Sequence, residues 1–204
     1  MDIKDFISIL KDRKIDLETL MVRRMPAIAG RMAVDHFRDN FRRGGFVDTT
    51  LERWIPAKRL SSGGSDAASN YGTLLSRRSH LFRSIRSSAK ASRAVVGTRV
   101  PYASVHNEGG TLSPAVTPRM RRYAWYRYYK AAGITRKTSA KTRSKKLSMA
   151  KENRQALFWK RLALTKKSRM EIKIPKRRFV GPSKVLEDAI SAKIESEIMK
   201  ILNS

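Results

Sequence analysis

At 204 residues and 41% apolar side chains, the chain is long enough for one domain with a real core plus extensions. Lys and Arg number 45 against 17 Asp and Glu, a formal charge of +28 that calls for an anionic partner such as nucleic acid or an acidic surface. The absence of cysteine excludes disulfide frameworks, thiolate zinc sites and cysteine nucleophiles.

The opening "MDIKDFISILKDRK" carries charges every few residues and lacks the apolar stretch of a signal peptide, so a soluble chain made in a cytoplasm is expected. No run approaches the roughly 18–20 apolar residues needed to cross a bilayer, and no membrane partner is expected. Ile3, Phe6, Ile7 and Leu10 fall at helical spacing and predict a short amphipathic helix, after which Asp16 can cap a second. Leu17, Leu20, Met21, Met25, Ile28, Met32, His36, Phe37 and Phe41 then form one apolar stripe. Pro26 should kink or split that helix near Met25, and Gly44-Gly45 ends it.

Residues 46–73 read as an extended connection containing the flexible Gly/Ser-rich stretch "SSGGSDAASNYG". The segment around Ile85 and the strand-like "RAVVGT" make an antiparallel pair joined through Lys90–Ser92. "TLSPAV" adds a short strand that Pro114 marks as an edge or a break. Thr117 as cap and Pro118 at the first position open a helix that stops at Gly133.

That helix carries Tyr123, Trp125, Tyr126, Tyr128 and Tyr129. Five aromatics in seven positions cannot share one face at about 100° per residue, so protein cover is expected on at least two sides. "TRKTSAKTRSKKLS" holds six bases between Arg136 and Lys146 and no acid; it is expected to be mobile alone and ordered only against an anion. A further helix should run through Gln155–Trp159. From Arg119 to Arg169, 18 basic residues face one acid, Glu152.

Met170, Ile172 and Ile174 alternate with charges as a short strand, and "PKRRFVGPS" turns the chain. Ser183 caps a last helix with Leu186, Ile190, Ile194, Ile198 and Leu202 four apart, and Glu187 and Asp188 sit favourably in its first turn. The expected class is α+β, a single domain over 1–204. A small antiparallel sheet packs against a long N-terminal helix and a C-terminal helix. The parts are N-terminal helices over 1–45, the connection over 46–73, and a core over 74–117 and 170–204. A basic, aromatic-rich, helical or irregular excursion spans 118–169.

Three histidines, His36, His80 and His106, show no metal-ligand spacing, so neither metal nor cofactor is expected. His-x-Glu at 106–108 resembles part of a zinc-deaminase signature, whose cysteine half cannot exist here. Nucleophile-elbow, phosphate-loop and Rossmann patterns are all missing, and an enzyme is not expected. In "VPYASVHNEGG" the glycines supply a sharp turn, with His106 and Glu108 hydrogen-bonding that turn or a neighbouring subunit.

"YGTLLSRRSHLFRSIR", "AVVGTRVPYASVHNEGG", "VTPRMRRYAWY" and "IPKRRFVGPS" occur in this order before a terminal helix. Together they resemble the phage virion morphogenesis family, the tail completion proteins of Mu-like and related tailed phages. Matching positions include Leu81, Ser84, Ile85, Gly97-Thr98, Tyr102, Ala103, His106, Gly109-Gly110, Thr117 and Met120. The match continues through Ile174-Pro175, Arg178-Phe179 and Gly181; Glu108 lies within the motif, and 134–168 carries little of the signal.

The resemblance implies a structural virion component, assembled in the host cytoplasm, that completes the tail or joins it to the head. It implies a ring at the neck, taken as a hexamer, contacting tail-tube and head-connector proteins and, in its channel, genomic DNA. Tyr123, Trp125, Tyr126, Tyr129, Leu186, Ile190 and Ile194 are the expected subunit contacts. Arg136, Lys137, Lys141, Arg143, Lys145 and Lys146 are expected to face the anion. The alternative is a nucleic-acid-binding packaging or ribosome-associated protein, gripping phosphates and stacking bases on Trp159 and the tyrosines.

Overall fold

The computed structural model describes residues 2–61 and 71–203; the Gly/Ser-rich stretch lies, over 62–70, outside the described residues. The chain forms two compact units, one of residues 1–110 and 174–204, the other of residues 111–173. The class is α+β, helix-dominated, with small strand pairs.

In the first unit, α1 (Ile3–Thr19) runs without interruption into a π-helical turn, Leu20–Arg24, and on into α2 (Met25–Arg43). Asp16 is therefore interior to a helix and caps nothing. Pro26 splits the regular α-helix near Met25, as expected, but through a π-helical turn rather than a chain break. Proline cannot donate to the carbonyl four residues back, that of Val22, and its ring crowds that carbonyl. The turn just before it loosens to the wider spacing, with Met25 N–H reaching Leu20 O. The freed Val22 carbonyl accepts from the backbone N–H of Ser92 at 3.2 Å.

Gly44 ends α2 in the left-handed conformation, its N–H on Asn40 O. The chain then makes a hairpin, β1 (Gly45–Val47) with β2 (Leu51–Arg53), where an extended connection was expected. Asn40, fully buried, explains it. Its side-chain oxygen accepts from Val47 N–H and its amide donates to Phe179 O, so the strand is fastened to α2.

After the short α3 (His80–Ser84), β3 (Arg86–Lys90) pairs antiparallel with β4 (Arg93–Gly97), Lys90 opposite Arg93, as the sequence suggests. This hairpin lies on α2 where Gly30 has no side chain. A Cβ there would stand 2.9 Å from that of Ser87. Among the described residues the strands do not merge into one sheet: each of the three pairs stands alone. The core gathers Val34, Phe37, Phe41, Phe46, Trp54, Leu81, Ile85, Val100, Phe179 and Leu186. His36 is packed as its place on the stripe implies, edge-on to Phe37 and Phe46 with Nε2 3.1 Å from Val47 O.

The closing helix α8 (Lys184–Leu202) is capped by Ser183 and lies along α1 and α2. Arg13 donates to Ile201 O, and Glu197, only 8% exposed, takes Lys200 at 2.8 Å, Lys193 at 2.9 Å and Arg24 at 3.7 Å. Hydrogen bonds from Lys200 and then Lys193 hold its carboxyl down to about 2. A depressed folded-state pKa adds stability above the ordinary carboxylate range, lost as pH falls from about 4.5 towards about 2. The Tm gap between the wild type and Glu197→Gln should therefore narrow across that window. A gap independent of pH would show that the cluster contributes nothing through charge.

β5 (Gly110–Leu112) pairs with β6 (Ile172–Ile174), and in the second unit an isolated bridge joins Ala115 to Arg169. Thr117 caps α5 (Pro118–Ala131), accepting from Met120 N–H. The lysine-rich stretch, expected to be mobile, forms α6 (Ala140–Met149), capped by Ser139. Its Ala, Lys and Arg are good helix formers, and Leu147 and Ala150 give it a small apolar footing on Tyr128 and its neighbours. α7 (Arg154–Leu164), capped by Asn153, packs along α5.

Candidate functional site

The two motifs singled out in the sequence meet in the first unit. α4 (Ala103–Glu108) stops at Gly109, whose φ of +76° with ψ of 176° is open essentially to glycine alone. A Cβ there would stand 2.9 Å from the backbone nitrogen of Lys176, so the glycine also admits the returning chain. Across it runs 174–183, the "IPKRRFVGPS" segment.

The fastening residue is Asn107. Its Oδ1 accepts from Phe179 N–H at 2.9 Å and from Val180 N–H at 3.1 Å, while its amide donates to Glu108 Oε1. Arg177 N–H donates to His106 O at 2.8 Å. Glu108 sits largely in solvent, 3.9 Å from Lys176 Nζ. Around this seam each base of "KRRF" has a separate task. Arg177, 7% exposed, donates from Nε to Ile55 O at 2.8 Å and from its terminal nitrogen to Pro56 O. Arg178 lies 4.0 Å from the Phe46 ring centre, donates to Pro182 O and is flanked by Gly181. Its carbonyl accepts from the Trp54 indole at 2.8 Å.

Phe179 fills the core, 5.1 Å from Phe41 centre to centre. Pro175 is half-buried, and Gly110 begins β5. Asp48 takes the first amides of α8, Lys184 N–H on its side chain at 2.7 Å and Val185 N–H on its carbonyl.

His106 and Tyr102 face a pocket of about 200 Å³ edged by Arg59, Leu74, Leu75 and Leu81. His80 Nδ1 stands 3.2 Å from the Tyr102 hydroxyl, and the Tyr102 ring meets His106 edge-on at 5.9 Å. His106 Nδ1 is buried without a partner, and burial, then the nearby Arg177 charge, push its pKa down. Both influences favour the neutral ring over the charged one. Arg59, at the pocket's rim, donates to the carbonyls of Tyr71, Gly72, Thr73 and Leu75. The Arg59 bonds, like those that Asn107 Oδ1 accepts, run to backbone and tie chain segments together. Among the described residues, no three His, Asp or Glu side chains gather as a metal site.

The other singled-out residues divide. Leu186 is buried in the core and Ile190 packs against it, with Ile194 half-buried further along α8. Trp125 and Tyr129, stacked at 5.9 Å, belong to the second unit's own cluster with Tyr128. Tyr123 and Tyr126 are 51% and 58% exposed. Arg136, Lys137, Lys141 and Lys145 are exposed; Arg143 lies over the Tyr129 ring at 5.2 Å and Lys146 donates to Gly133 O at 2.6 Å. Sequence reasoning missed Asn107, Asn40, Asp48 and Arg177. Only Asn107 carried any local signal, as a turn-forming residue beside two glycines.

A family model described as the phage virion morphogenesis family matches residues 22–199. No curated protein and no solved structure matches the chain.

Proposed function

The chain belongs to the phage virion morphogenesis family, with a structural role in virion assembly, and from that premise we propose that it completes the tail or joins it to the head as a subunit of a hexameric ring at the neck. Its neighbours there are tail-tube and head-connector proteins, with genomic DNA passing through the ring.

The observation that supports self-assembly is an uncovered apolar surface where the charge is balanced. Ile3, Ile7 and Leu10 on α1 are 75%, 45% and 52% exposed, and Val185, Met199 and Leu202 on α8 are between 44% and 54% exposed. Residues 2–19 carry five acids and four bases, and α8 carries four acids and three bases, inside a chain of +28. Copies of so basic a molecule repel one another wherever bases face bases. They meet at least cost through these two near-neutral helices, which also have apolar area to bury. This moves the self-contact away from Trp125, Tyr129 and Leu186, whose surfaces are used within the chain.

The test pairs Ile7→Glu with Leu10→Glu. Light scattering of the wild type should report a closed oligomer and the variant a monomer with an unchanged circular dichroism spectrum. Particles made with the variant should separate into filled heads and free tails, the tails being of finished length if the chain acts in joining and of irregular length if it acts in completion. A wild-type chain that is monomeric within purified particles would overturn the proposal.

A further inference from the structure

The second unit has a surface that virion assembly alone does not explain. The rings of Tyr126, Tyr123, Trp159 and Phe158 follow one another across α5 and α7, with centres 6.3, 5.8 and 5.1 Å apart. Tyr126, Tyr123 and Phe158 are each more than half exposed. The Arg127 guanidinium lies 4.9 Å from the Trp159 centre and 5.9 Å from that of Tyr123, and it donates to the Tyr123 hydroxyl. This holds the middle of the ridge in place.

Cations frame the ridge. Helical spacing sets Arg119, Arg122 and Lys130 on the same stripe of α5 as the two tyrosines, over about 16 Å. On α7, Arg154 and Arg161 stand a turn to either side of Phe158. All five are exposed, and none is in an ion pair among the described residues. Residues 111–173 hold 19 bases and two acids, Glu152 and Glu171.

Whatever covers this ridge must offer flat apolar faces and dense negative charge together. A second copy offers the rings but brings the same positive charge. Duplex DNA offers phosphates but keeps its base faces stacked inside. Single-stranded nucleic acid offers both. We propose that the ridge binds single-stranded nucleic acid, with phosphates on the framing Arg and Lys side chains and bases stacked on Tyr126, Tyr123 and Phe158.

The proposal is independent of the ring at the neck, and its test does not use particles. Fluorescence anisotropy with the full chain compares a labelled oligothymidylate with a duplex of equal length over a range of salt. The single strand should bind more tightly at each salt concentration. Joint Tyr126→Ala and Phe158→Ala substitution should weaken single-strand binding by on the order of tenfold or more while leaving the salt slope unchanged. Tyr126→Trp should retain it. Joint Arg119→Gln and Arg154→Gln substitution should lower the slope, by about 0.7 for each phosphate that is no longer neutralised.

Duplex binding as tight as single-strand binding, with the ring substitutions silent, would overturn the proposal in favour of plain phosphate attraction. Failure to bind either nucleic acid would overturn it too. So would ring substitutions that change the sedimentation of the free protein instead of its binding, for that would make the ridge a protein contact.

Discussion

Phe179→Ala is expected to destabilise the first unit by about 3–5 kcal/mol, measured by urea or thermal denaturation, the range for removing a buried phenylalanine. Phe179 is 1% exposed and packs against Phe41, which itself meets Trp54 and Phe82 edge-on at 5.6 and 5.9 Å. Its surroundings are held from several sides, which limits how far they can collapse into the space left. Asn40 donates to its carbonyl, Trp54 to that of the preceding residue, and Asn107 takes its amide hydrogen. A backbone pinned this way cannot move inward, so the cavity term stays near its full size. Phe179→Leu keeps most of the apolar volume and should cost clearly less. A loss below about 1 kcal/mol for the alanine variant would mean that the core relaxes around the gap, and that the pinning is weaker than these hydrogen bonds suggest.

The same segment shows what a sequence carries locally and what it does not. The caps at Thr117 and Ser183, the Lys90–Ser92 connection and the helix that follows Ser183 all follow from residues within a few positions of each other, and the structure agrees with each. The rest is tertiary. Pro26 reads locally as a kink or split near Met25; the interruption is held to one π-helical turn because the freed carbonyl meets a distant N–H, and Ser92 supplies it. β1 and β2 are too short to announce themselves by alternation, and they exist because Asn40 and the core hold Phe46 and Val47 in place. α6 reads as low complexity because its footing is only Leu147 and Ala150, with Tyr128 and Tyr129 supplied from another helix.

At the candidate site, the motif glycines and Phe179 were legible through resemblance. The division of labour among His106, Asn107 and Glu108 was not. Histidine and glutamate attract notice because they titrate. The residue that bonds the two motifs together is the amide between them, and its partners lie 72 and 73 positions away.

Asn107→Leu is the substitution that separates a clasp from a reactive centre. Leucine has nearly the same size but accepts nothing, so the amide hydrogens of Phe179 and Val180 lose their partner together. One buried donor left unsatisfied costs about 1–3 kcal/mol, and two sharing one acceptor should cost about 2–4 kcal/mol, allowing for partial access of water at this half-exposed position. Asn107→Asp keeps an oxygen for both hydrogens but loses the amide that donates to Glu108 Oε1 and sets two carboxylates side by side. It should fall between the wild type and the leucine variant, and closer to the wild type when Glu108→Gln is added. Glu108→Ala alone removes a solvent-facing group and should stay within about 0.5 kcal/mol. The order expected in denaturant melts is therefore leucine variant lowest, aspartate variant intermediate, alanine variant near wild type. If Glu108→Ala proved as damaging as Asn107→Leu, the seam would depend on charge at its rim, and the amide would lose the role assigned to it.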